Sequence, residues 1–303
     1  MRWQQERRSQ NVEDIRDQSG AGSGGGFSGT TRTVGIGGVG LVIVLLAALL
    51  FGQDPLQLLS AITGASTGQG APSADVQPAA VPAAGQPTDQ AKDFVSAILG
   101  DLEDTWGEIF QTAGSHYTPP KLVLYTDAVD SACGFTESST GPFYCPEDQK
   151  VYLDLGFLNE LQRLGASGDF AVAYVIAHEV GHHVQHLMGT DTQVRDLQSR
   201  VGQADVNALS VLTELQADCY AGVWANHANV KRQILETGDV EEGLNAAASV
   251  GDDRLSRMAG RQIQREAFTH GSSKERSDWF RTGLTTGDMK ACDTYGKAGV
   301  GLR

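Results

Sequence analysis

Residues 34–52 (VGIGGVGLVIVLLAALLFG) carry no charge at all, and this run decides how the rest of the chain can be arranged. As a helix, its 19 residues reach roughly 28 Å, about the thickness of a bilayer's hydrocarbon core. A secretory signal would have a short charged start and an apolar core of about 7–15 residues. Here the leader and the run are both longer, so a retained anchor is expected. A buried core helix is excluded, because the Gly-rich flanks offer nothing to pack against. Arg2, Arg7, Arg8, Arg16 and Arg32 precede the run, and no Lys or Arg follows it before Lys92. That asymmetry orients a span with the N-terminus in the cytoplasm and the remainder on the extracytoplasmic side. The expected organisation is a disordered cytoplasmic tail (1–33), a transmembrane helix (34–52), a flexible Gly/Ala/Pro/Ser/Thr/Gln linker (53–88) and a folded domain (89–303).

The formal net charge is −14 over 303 residues, a field that repels other polyanions, so nucleic-acid binding is set aside. The four cysteines, Cys133, Cys145, Cys219 and Cys292, lie beyond the apolar run, where an oxidising compartment permits disulfides. Of the three possible pairings, Cys133–Cys145 (a short loop) with Cys219–Cys292 (a long one) is expected. Four free buried thiols are the alternative.

Within the domain, Phe94, Ile98, Leu102, Trp106 and Phe110 recur at helical spacing, and Pro119–Pro120 bars any continuation. Residues 121–126, 141–144 and 151–155 read as short strands. Residues 169–188 form a long helical stretch, with Asp169 able to cap its start and Gly189 to end it. Residues 207–229 form a second, and the remainder is helical with breaks at Gly238, Gly251, Gly271 and Gly287. A small sheet followed by many helices is an α+β class.

The first long helix contains His178-Glu179-Val180-Gly181-His182. The two histidines lie one turn apart on one face, so both imidazoles can reach a single metal ion. Glu179 is turned about 100° away, placed to face a water rather than to ligate. Two nitrogens and a nearby carboxylate suit Zn²⁺ with an activated water. Gly181 costs about 1 kcal/mol of helix propensity; its missing side chain is expected to leave room near the metal.

A catalytic zinc site needs a third protein ligand and an open position. Position 188, where an extended motif would place a third histidine, is Met188. The second helix supplies Glu214 and Asp218, one turn apart among Leu212, Leu215, Ala217, Tyr220 and Trp224. Glu214 is expected to ligate one zinc ion, and Asp218 to accept a hydrogen bond from the far nitrogen of His178. His183 and His186 are expected on the groove wall or surface, since His186 lies about 12 Å along the axis from His178. His270 is either a donor to the oxyanion of a tetrahedral intermediate or a loop histidine. His116 and His227 read as structural or surface residues.

HEVGHHVQ, ELQADCYAG, FTHGSS, the opening MRWQQERRSQNVEDIRD, GPFYCPEDQKVYLDLGF and the closing KACDTY together resemble the bacterial neutral zinc metallopeptidase family over nearly the whole chain. The resemblance implies a zincin-like fold behind one N-terminal span, His178 and His182 as ligands, and Glu179 as catalytic acid/base. It also makes the Glu214–Asp218 segment similar to a gluzincin third-ligand helix. The activity so implied is hydrolysis of a peptide or protein substrate. An extended substrate would add to an edge strand near Tyr152, with Tyr144 and Tyr152 either groove-lining or core. A zinc-stabilised envelope binding or scaffold protein is the competing reading. It would require a closed fourth ligand, and Cys219 points about 140° away from Glu214 around the helix.

Overall fold

The computed structural model describes residues 1–16, 87–137 and 141–302. The apolar run 34–52 and residues 53–86 of the expected linker lie outside these residues, whereas its last two residues, Pro87 and Thr88, already belong to the helix Pro87–Thr112. Among the described residues no helix is long and apolar enough to cross a membrane.

The fold is α+β and mostly helical. Strand β1 (Val12–Asp14) is followed by helix α1 (Pro87–Thr112), strands β2 (Lys121–Tyr125), β3 (Ala128–Ser131), β4 (Gly134–Glu137), β5 (Phe143–Cys145) and β6 (Lys150–Asp154), then helices α2 (Phe157–Arg163), α3 (Asp169–Leu187), α4 (Thr190–Gln198), α5 (Gln203–Arg232), α6 (Asp239–Ser249), α7 (Asp252–Met258), α8 (Ser273–Thr286) and α9 (Thr294–Lys297). The main sheet runs β1-β2-β6-β5, and β3 pairs with β4 as a separate hairpin. β1, β2 and β6 are parallel; β5 runs antiparallel to β6, with Phe143 opposite Tyr152. β5 is therefore an edge, while Tyr152 sits inside the sheet, 4% exposed and stacked on Phe143. The edge expected near Tyr152 belongs to the neighbouring strand.

Helix α1 presents Ile98, Leu99, Leu102 and Trp106 to the core, as its spacing requires. α3 is largely enclosed, and α5 is buried from Leu215 to Ala225. Phe170, Trp224 and Phe280 bind α3, α5 and α8 into one aromatic cluster, with centroids 6.0 Å apart for Phe170–Trp224 and 6.4 Å for Phe170–Phe280. Disulfides join Cys133 to Cys145 and Cys219 to Cys292.

The structure departs from the sequence reading in two places that affect the site. Residues 1–16 are not a disordered tail. β1 extends the main sheet, and Met1 and Trp3 enter the core. Their apolar side chains are too widely spaced among charges to announce this. Asp169 does not cap α3; Gly168 holds the cap position, and the Asp169 carboxylate instead receives the Met1 ammonium at 3.0 Å.

Candidate metal centre and cleft

Helix α3 meets α5 where Gly181 faces Ala217. A Cβ at Gly181 would lie 3.0 Å from the Ala217 carbonyl oxygen and 3.1 Å from its Cα. The glycine thus admits the backbone of the crossing helix, not a metal, correcting the expectation above. With the helices this close, Glu214 and Asp218 on α5 face His178 and His182 on α3.

His178 Nε2 lies 3.2 Å from Glu214 Oε2, and His182 Nε2 lies 3.4 Å from Glu214 Oε1. Ligands about 2.05 Å from a tetrahedral ion stand about 3.3 Å apart. The spacing and the two-nitrogen, one-carboxylate donor set therefore fit zinc. Among the described residues no fourth His, Cys, Asp or Glu joins this group. Cys219 is committed to its disulfide and fully buried.

The far nitrogen of each histidine is held. His178 Nδ1 lies 2.8 Å from Asp218 Oδ1, and His182 Nδ1 lies 2.8 Å from Gln185 Oε1. Each acceptor fixes the proton on Nδ1 and leaves Nε2 free toward the ion site. Gln185 is itself anchored, its amide donating to the Thr213 carbonyl (2.8 Å) and to Gln216 (3.1 Å). Asp218 is fully buried and receives Arg276 Nε at 2.8 Å, Arg276 Nη2 at 3.0 Å and the Tyr174 hydroxyl. Arg276 is 3% exposed, on α8, and its Nη2 lies 3.8 Å from Glu214 Oε2. Burial pushes the Glu214 carboxyl up, but the two imidazoles outweigh that and hold it well below the usual carboxylate range. Burial likewise opposes the Asp218 anion, and Arg276 with His178 outweighs it.

Glu179 is 8% exposed and makes no hydrogen bond to any described residue. Burial raises its pKa, with His178 and His182 opposing. It lines a cleft of about 1060 Å³ shared with His178, His182, Glu214, His270 and Arg276. Phe143, Phe157, Leu164, Val175 and Leu255 form apolar walls, and edge strand β5 contributes Phe143 and Tyr144.

His270 stands in the loop before α8, half exposed, with Nδ1 3.3 Å from Asp252 Oδ1. Asp252 also receives the backbone N–H groups of Thr269, His270 and Gly271 at 2.7–2.9 Å, fixing the loop. The hydrogen bond to Asp252 raises the His270 pKa, burial opposing. His183, expected on the groove wall or surface, is fully buried. Its Nε2 donates to the Thr118 carbonyl at 2.7 Å, and Nδ1 accepts from the Tyr144 hydroxyl at 3.0 Å. His186 pairs with Asp191 at 2.9 Å, and His227 donates to the Gly287 carbonyl at 2.9 Å. His116 is exposed.

Sequence reasoning missed Arg276, Tyr174, Gln185 and Asp252. Tyr174 and Gln185 were within reach, four residues before His178 and three after His182, where helical side chains are neighbours. Arg276, among Ser, Lys and Glu on a helix with little apolar patterning, gives no such signal.

A family model described as "Putative neutral zinc metallopeptidase" matches residues 1–295. The chain belongs to this family. The Escherichia coli (strain K12) protein YpfJ is 47% identical over 299 residues, covering 98% of this chain and 100% of its own length. The Mycobacterium tuberculosis (strain ATCC 25618 / H37Rv) protein Rv2575 is 41% identical over 196 residues, 61% of this chain and 65% of its own. Both relatives are described as uncharacterized proteins. No solved structure matches.

Proposed function

We propose that this member of the zinc metallopeptidase family is a zincin-type peptidase that hydrolyses peptide bonds and is attached to a membrane through residues 34–52. The carrying observation is the contrast among three carboxyls at one centre, two of them buried and the third, Glu214, 19% exposed at its side chain. Glu214 closes a three-donor group with His178 and His182, Asp218 is tied to His178 and Arg276, and Glu179 faces the cleft untied. His178, His182 and Glu214 would hold a zinc ion, which when bound would supply electrophilic polarisation of the scissile carbonyl and of a water.

The chain's own residues do the rest. Asp218 and Gln185 keep both imidazoles in the tautomer that presents Nε2. Glu179, its proton affinity raised by burial, takes a proton from the attacking water and delivers it to the leaving amine nitrogen. His270, oriented by Asp252, donates to the oxyanion from across the cleft. An extended substrate adds to the edge strand β5, with its side chains against the apolar walls. The disulfides suit an extracytoplasmic location. A purely structural zinc site is disfavoured, because the donor group stops at three beneath an open cleft.

The test is zinc content and cleavage of a mixed peptide library by the full chain and its Glu179→Gln variant. Both are expected to hold one zinc, with cleavage lost by about 10²–10⁴-fold in the variant. Undiminished cleavage by Glu179→Gln removes that residue from its role. Zinc binding without cleavage by the parent favours the scaffold reading.

A further inference from the structure

Residues 1–16 lie along the catalytic unit as a fitted arm. The Met1 ammonium meets Asp169 at the start of α3 (3.0 Å), Glu236 (3.3 Å) and Asp239 (3.4 Å). Trp3 is 8% exposed and packs edge-on against Phe94, 5.3 Å between centroids. Arg7 reaches Glu103 at 2.7 Å, and Arg8 grips Asp93 with two bonds of 2.6 and 2.7 Å. Ser9 and Asn11 both donate to Glu103, a carboxylate only 9% exposed. The Ser9 backbone N–H donates to Ser96 O at 2.8 Å, and a Cβ at Gly100 would stand 2.3 Å from the Arg7 carbonyl oxygen. β1 then pairs with β2 from Val12 to Asp14. Without the arm, the unit would expose an apolar seat and leave Glu103 without three of its donors, a cost characteristic of a broken core contact. The family match spans this arm as well as the cleft.

We infer that the arm stays docked in the membrane-attached protein, so that residues 1–16 and the catalytic unit share one face of the membrane. The inference rests on the attachment proposed above and revises the expectation of a cytoplasmic N-terminus. A single crossing by residues 34–52 would put the arm and the unit on opposite faces, which is incompatible with docking. The run has length for one helical crossing of roughly 28 Å and not for two.

Two measurements on the full chain decide the matter. Single cysteines replace exposed Gln10 in the arm and exposed Lys274 on α8, and are probed with a membrane-impermeant maleimide in sealed vesicles of each orientation. Both are expected to label in the same preparation; labelling in opposite preparations overturns the inference. Docking itself is read from thermal unfolding. Trp3→Ala is expected to lower the midpoint by roughly 10 °C. Arg8→Asp is expected to lower it by about 2–4 °C, and Arg8→Asp with Asp93→Arg to recover most of that. An unchanged midpoint in Trp3→Ala, or no recovery in the double variant, overturns docking. Should the chain wash off the membrane, attachment fails, and the midpoints still decide docking.

Discussion

Asp218 sits between His178, a proposed zinc ligand, and the buried Arg276, and its two oxygens divide the work. Oδ1 orients His178 and Oδ2 takes Arg276 Nε, so removing its charge loosens the imidazole and strands a guanidinium that is 3% exposed. Asp218→Asn is expected to weaken zinc binding by about 10–100-fold. Arg276→Met should follow it, while Arg276→Lys, charged but without the fork, should fall between. Competition with a fluorescent chelator measures all three; wild-type affinity in Asp218→Asn would mean that the negative charge at residue 218 is not needed to hold His178. His183 behaves differently, being structural and neutral. Burial takes its pKa down from 6.5 to about 4, partly offset by the bond to Thr118. The unfolded chain thus binds a proton in that interval that the folded chain refuses. Stability from this site is complete above pH 6.5 and is lost as pH falls toward 4, by about 3 kcal/mol at most. Urea unfolding at pH 7 and pH 4.5 should show a smaller acid-induced loss in His183→Gln than in the parent.

At the level of elements, the centre is assembled by helix crossings that depend on missing side chains. α8 approaches α5 so closely that a Cβ at Gly283 would stand 1.9 Å from the Cys219 carbonyl oxygen. That contact carries Arg276 to Asp218. Gly283→Ala is expected to cost about 1–3 kcal/mol by overpacking, and to weaken zinc binding although residue 283 touches none of the proposed ligands. Paired denaturation and metal titrations check this; a stability loss with unchanged metal affinity would separate the crossing from the site. The same physics explains what sequence could reveal. His178, Glu179 and His182, or Glu214 and Asp218, occupy one turn each, and the periodicity of α3 and α5 is long enough to read. The pairing of the two helices depends on Gly181 against Ala217, a contact between distant positions with no local signature. β1, Val-Glu-Asp, is three residues long, too short for an alternation to show, and its strand character comes from β2 beside it. Arg276 reads as surface because its partners lie 58 and 102 residues away, at Asp218 and Tyr174.

Across the whole molecule, the two disulfides close loops of very different length and tie down different parts of the machinery. Cys219–Cys292 spans 73 residues and joins α5, one position past Asp218, to the segment whose Cys292 carbonyl receives Gln216. Cys133–Cys145 spans 12 residues and fastens the edge strand β5 to the turn between β3 and β4. Loop-closure entropy assigns about 4 kcal/mol to the long link and about 3 kcal/mol to the short one. Function should rank them differently. β5 supplies Phe143 and Tyr144 to the cleft and the unpaired edge proposed to receive substrate. Replacing Cys133 and Cys145 by Ala should therefore raise KM several-fold while zinc content stays at one. Replacing Cys219 and Cys292 should cause the larger fall in thermal midpoint and lower zinc affinity, because Asp218 and Gln216 lie beside that link. Steady-state kinetics beside thermal unfolding distinguishes the two. An unchanged KM on loss of the short link would mean that β5 keeps its place without the disulfide or that substrate does not align on it, and a Tyr144→Phe variant, which removes the hydroxyl anchoring β5 to His183, separates these outcomes by loosening the strand from its other side.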